Sequence, residues 1–141
     1  MGKHEDFEKR MAETYPLLYA DMYGDIKATP MAFGLDIGPG WFSLIEELST
    51  KLEPLIQECK DLDPEFYPKA AQVKEKFGGL RFYMTTETEE MSKLIRKAEA
   101  KSFKTCEECG EPGEVRGLGW VRTLCDMCYV DAIPSAKGKG W

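Results

Sequence analysis

VKEKFGGLRFY, Val73 to Tyr83, places three cationic side chains, three aromatic rings and two adjacent glycines in eleven residues. Before the glycines, Ala71, Val73, Glu75 and Phe77 alternate with Gln72, Lys74 and Lys76. After them, Leu80, Phe82 and Met84 alternate with Arg81, Tyr83 and Thr85. Successive side chains of a strand point to opposite faces, so this period of two marks two strands. Glycine accepts the positive φ of a tight turn, so Gly78-Gly79 is read as the connection. The pleat then sorts the groups. One face carries Val73, Phe77, Leu80, Phe82 and Met84, with Glu75 as its misfit. The other carries Lys74, Lys76, Arg81 and Tyr83.

Helices flank this hairpin. Downstream, Thr86 with Glu89 three residues later fits a capping box. Glutamates crowd the first turn, and Lys97 and Lys101 lie near the end, which suits the helix dipole. Met91, Leu94, Ile95, Ala98 and Ser102 form the inner face of that helix. Upstream, DLDPEFYP at 61–68 is a turn-rich linker. Before it, Trp41, Leu44, Ile45, Leu48, Leu52, Leu55, Ile56 and Cys59 make one apolar stripe on a helix running to about Lys60. Pro54 falls on the opposite side, where it curves the helix. Cys59 lies on the stripe and reads as a small buried hydrophobe. Residues 24–40 are loop, with a short strand expected where Met31, Phe33, Leu35 and Ile37 alternate. Phe7, Met11, Tyr15, Leu18 and Met22 mark a helix over 4–23, bent or split at Pro16.

The last quarter holds the most specific motif. Cys106 and Cys109 form one CxxC pair, Cys125 and Cys128 another, with fifteen residues between them. Two such turns at the ends of a hairpin bring four sulfurs to one point, the zinc-ribbon pattern. Four protein ligands close the coordination sphere, so Zn2+ is expected to be structural and not to activate water. The chain is thus read as α+β. A helical and β-hairpin domain spans 1–104, a four-cysteine zinc ribbon 105–133, and a flexible tail 134–141.

Composition narrows the function. Hydrophobic residues make up 43% of 141, enough for a core. No apolar run approaches the ~20 residues of a membrane helix. The charged N-terminus lacks a secretory signal, so a cytoplasmic protein with no membrane partner is expected. The net charge of −6 is uneven: −8 over 1–65, +4 over 66–104 and −2 over 105–141. A basic island in an acidic chain points to an anionic partner. Alternatively, it pairs with the acidic third inside the fold. His4, the one histidine, reads as a solvated side chain. No phosphate loop, nucleophile elbow or triad is present, so no enzymatic activity is expected.

GPGW (38–41), VKEKFGGLRFY (73–83), TCEECGEPG (105–113) and GWVRTLCDMC (119–128) resemble blocks in short proteins of bacteriophages and prophages. The resemblance covers roughly residues 30–130. It implies a bacterial cytoplasm and an accessory role, such as binding host machinery or countering host defence.

Two functions follow. In the first, Lys74, Lys76, Arg81 and Tyr83 bind a phosphate-bearing ligand, nucleic acid or nucleotide, by charge and stacking. Arg116, Trp120 and Arg122 on the zinc hairpin would extend that surface. In the second, the chain is a protein-interaction module or inhibitor of a host protein, with acidic surface imitating DNA and tryptophans as anchors.

Overall fold

In the computed structural model, residues 2–24, 27–117 and 119–133 are described; the expected flexible tail at 134–141 lies outside them. The VKEKFGGLRFY hairpin forms two strands of a three-stranded sheet. Strand β2 (Ala70–Lys76) pairs antiparallel with β3 (Gly79–Met84), and β1 (Leu35–Asp36) joins β2 on its other side, in parallel. Lys76 pairs with Gly79, so the two turn residues are Phe77 and Gly78, at φ +54° and +87°. The turn is therefore one residue earlier than the glycine pair suggested. Gly79 is needed inside the strand, because a Cβ there would lie 2.2 Å from the Phe103 ring. Phe77, expected on the inner face, is instead 68% exposed at the tip.

The sorting of faces otherwise holds. Val73, Leu80 and Phe82 are buried. The misfit Glu75 closes the turn, its carboxylate accepting the Gly78 N–H at 2.7 Å. A bulge between Ala70 and Gln72 shifts the parity, so Ala70 enters the core where Ala71 was expected.

Helix α1 (Lys3–Thr14) stops before Pro16, which disfavours helical geometry in the residue preceding it. Turns carry the chain on from there, and Leu18, Tyr19 and Met22 still reach the core. The Glu53 carboxylate accepts the Leu17 and Leu18 amides at 3.0 and 2.9 Å and ties this segment to α2 (Phe42–Leu62). The strand expected over 31–37 shrinks to β1. Pro30–Phe33 forms one 3-10 turn, with Thr29 accepting the Met31 N–H, and Phe33 is turned out to solvent.

Helix α2 buries Leu44, Ile45, Leu48, Leu52 and Ile56, and Pro54 sits exposed on the far side. Cys59 is half-buried against the core. Helix α3 (Glu89–Ser102) is capped by Thr88, whose side chain accepts the Met91 N–H, and not by Thr86. It lies along β3 and satisfies that edge. Ser102 Oγ accepts the Leu80 N–H at 2.9 Å, and Glu99 accepts that of Phe82 at 3.0 Å. A strand edge with free amides would invite pairing with another chain; here the helix supplies the partners. No helix among the described residues is long and apolar enough to cross a membrane.

Candidate metal centre and basic sheet face

The four-cysteine module is a hairpin followed by a short helix. Strand β4 (Glu114–Gly117) pairs antiparallel with β5 (Val121–Leu124), and α4 covers Asp126–Ala132. The sulfurs of Cys106, Cys109, Cys125 and Cys128 all lie within 4.8 Å of one another. The Cys109 and Cys125 sulfurs are 3.6 Å apart. A tetrahedral ion with metal–sulfur bonds near 2.3 Å needs sulfurs about 3.8 Å apart, so the cluster fits a metal ion. Cysteine positions and backbone turns cooperate. The Cys128 N–H points at the Cys125 sulfur at 3.4 Å, and Gly110 takes φ +85° to let the chain turn back after Cys109.

The electrostatics favour a cation. Burial works against charge on the Cys106 thiol, but N–H groups of Cys125, Cys109 and Glu108 outweigh it and bring its pKa down to about 7. Burial, reinforced by the neighbouring cysteines, pushes the Cys128 thiol up. Four thiols this close cannot all ionise unless a positive charge sits among them.

What seats this module is the GPGW segment, whose role the sequence reading missed. Trp41 Nε1 donates to the Thr105 carbonyl at 2.8 Å. The Gly40 N–H donates to the Glu107 carbonyl at 2.6 Å, and the Gly38 N–H to the Glu107 carboxylate at 3.0 Å. A Cβ on Gly40 would meet the Cys106 carbonyl at 2.0 Å. The glycines thus let two backbones touch, and Trp41 anchors the contact from the core. Burial pushes the Glu107 carboxyl up, against the Gly38 amide and the Arg122 charge. On the other side, Thr123 Oγ1 donates to the Gly78 carbonyl at 2.6 Å, so the module also rests on the hairpin turn.

The seven candidate ligand-binding residues separate into two groups. Arg116 donates to the Leu124 carbonyl and to Asp126, and lies over the Tyr129 ring. Arg122 bonds Glu108 at 2.6 Å and faces Glu107 at 3.7 Å. Both arginines are committed to holding the metal module. Trp120 is exposed beyond β4. Lys74, Arg81 and Tyr83 share the outer face of the sheet. Lys74 stands directly opposite Arg81, and Gln72 opposite Tyr83. Lys76 sits at the tip, over the Phe77 ring.

The Lys74–Arg81 pair is unusual. Like charges directly opposite each other destabilise a sheet. Neither side chain has a hydrogen-bond or ion-pair partner among the described residues, and Arg81 Nε is buried without one. The island's other cations are partly neutralised: Lys69 faces Asp21, Lys93 faces Glu89 and Lys101 faces Glu47. Of the acidic third, Asp36 stands beside Lys74 on the outer sheet face. Asp36 is in register with Lys74 but forms no ion pair with it within 4.0 Å.

His4 is not freely solvated as expected: its Nε2 lies 3.1 Å from the buried Glu8 carboxylate, and its ring meets Phe42 edge-on. Compared with protein-family models, with curated proteins and with solved structures, the chain finds no match in any of the three.

Proposed function

We propose that the protein binds a phosphate-bearing ligand on the outer face of its sheet, and that a structural Zn2+ in the four-cysteine cluster holds the scaffold. The observation that carries this reading is the unpartnered Lys74–Arg81 pair. A buried guanidinium nitrogen without an acceptor costs about 1–3 kcal/mol, and the facing lysine adds repulsion. A phosphate on this face would neutralise both charges; Arg81 Nε, closed to solvent, gains an acceptor only when the side chain turns outward. Tyr83, 43% exposed on the same face, offers a plate on which a base can stack. Zinc is the metal of choice for four thiolates in a tetrahedron, and four protein ligands assign it to structure. The role is binding, not catalysis. By its likeness to short phage and prophage proteins, the chain would act in a bacterial cytoplasm, on nucleic acid or nucleotides of the host.

Fluorescence anisotropy with a labelled single-stranded oligonucleotide tests this. Binding should weaken steeply with salt, and Lys74→Ala with Arg81→Ala should remove it while zinc content stays at one per chain. Equal affinity of the double variant and the parent would overturn the reading.

The protein-contact reading keeps one observation of its own. Met127, Val130, Trp120 and Val115 are exposed on the metal module. If the double variant binds oligonucleotide unchanged, this apolar surface becomes the better candidate.

A further inference from the structure

Beside the basic pair lies a cleft of about 630 Å3, lined among others by His4, Phe33, Asp36, Gln72 and Lys74. Its volume falls in the range of small-molecule sites. It is continuous with the proposed phosphate site, because Lys74 belongs to both. Across the sheet the register runs Arg81, Lys74, Asp36, so the two cations stand side by side and the Asp36 carboxylate, which has no partner among the described residues, flanks Lys74 on the side away from Arg81. The Gln72 amide and the ring of Phe33, 72% exposed, share the lining with Asp36. His4 and Glu8 close the wall, with the Glu8 carboxylate taken up by the His4 ring and the Leu35 N–H. A carboxylate repels phosphate but accepts hydrogen bonds from neutral donors such as sugar hydroxyls and base N–H groups. An exposed ring in a concave wall offers its face to another flat ring. Two cations on one side of Asp36, with acceptors and an aromatic ring in the cleft beside them, match the phosphate and the nucleoside of a nucleotide.

We infer that the cleft binds a single nucleoside monophosphate. Its phosphate sits on Lys74 and Arg81, and its nucleoside lies in the cleft, with Asp36 and Gln72 accepting from sugar or base and Phe33 covering the base. This inference rests on the phosphate reading above and narrows it to a ligand one nucleotide long.

Isothermal titration of the zinc-loaded full chain decides it. The probes are inorganic phosphate, ribose 5-phosphate, the four ribonucleoside monophosphates and a ten-residue single-stranded oligonucleotide. At least one monophosphate should bind one-to-one, about tenfold or more tighter than ribose 5-phosphate, the equivalent of about 1.4 kcal/mol. Phe33→Ala should erase most of that preference and leave the ribose 5-phosphate affinity unchanged, and Asp36→Asn should weaken the preferred monophosphate. Both positions are exposed, so these variants should fold. Lys74→Ala should weaken every phosphate-bearing probe. If the monophosphates bind no tighter than ribose 5-phosphate, or only the oligonucleotide binds, with Lys74 still required, the cleft inference fails and the phosphate reading stands. If no probe binds, both fail together.

Discussion

Phe77 holds a conformation that few residues accept. Its φ of +54° is one of two adjacent positive values in the turn, where asparagine followed by glycine is the usual pair. A bulky side chain there costs about 1–2 kcal/mol relative to one that tolerates the left-handed region. Its ring is exposed at the tip with Lys76 over it at 5.5 Å, so core packing does not explain the choice. Phe77→Asn is therefore expected to stabilise the fold by about 1 kcal/mol, seen as a higher urea midpoint with an unchanged slope. Gly40 is the opposite case. It has no unusual φ, but a side chain would strike the Cys106 backbone. Gly40→Ala should lower the melting temperature and weaken zinc retention against a chromophoric chelator, since the first cysteine turn loses its seat.

At the scale of elements, much was legible because periodicity reports which face is buried. The α2 stripe, the inner face of α3 and the two strands all follow their apolar spacing. The misreadings share a cause: the deciding contact is distant in sequence. The turn shifted by one residue because Phe103 claims the space above Gly79. The parity of β2 slipped at a bulge. Three threonines, Thr85, Thr86 and Thr88, precede α3, and the first turn settled on Thr88 as its cap. Nor could spacing show that Ser102 would serve a strand edge. That contact gives a prediction. Ser102→Ala leaves the buried Leu80 N–H without an acceptor and should cost about 1–3 kcal/mol in urea unfolding.

For the whole molecule, the four cysteines and the basic face were both readable in the sequence, but their connection was not. GPGW and the hairpin turn grip the metal module from two sides, through Gly40, Trp41 and Gly78. The two arginines expected to extend the basic surface serve the module instead. Many acidic residues have a similar inward use: Glu53, Glu75, Glu99 and Glu107 each accept backbone amides. Removing the metal should therefore loosen 105–133 and the 38–41 segment together, while the core around Ile45, Leu52, Val73 and Phe82 keeps its packing. Hydrogen exchange after chelation should show early loss of protection in those two segments and retained protection in α2 and β2. Acid should release the metal as well, because the ligands must be thiolates; affinity falls as pH falls.

Native mass spectrometry of the parent chain and the Lys74→Ala, Arg81→Ala double variant, each mixed with a nucleoside monophosphate, tests the central claim most directly. One measurement reports both the metal and the ligand. The parent should carry one zinc and one nucleotide, and the double variant one zinc and no nucleotide. Equal nucleotide occupancy in the two chains would contradict the assignment of the outer sheet face as the phosphate-binding surface, and a parent that carries zinc alone with each of the four monophosphates would contradict nucleotide binding in the cleft.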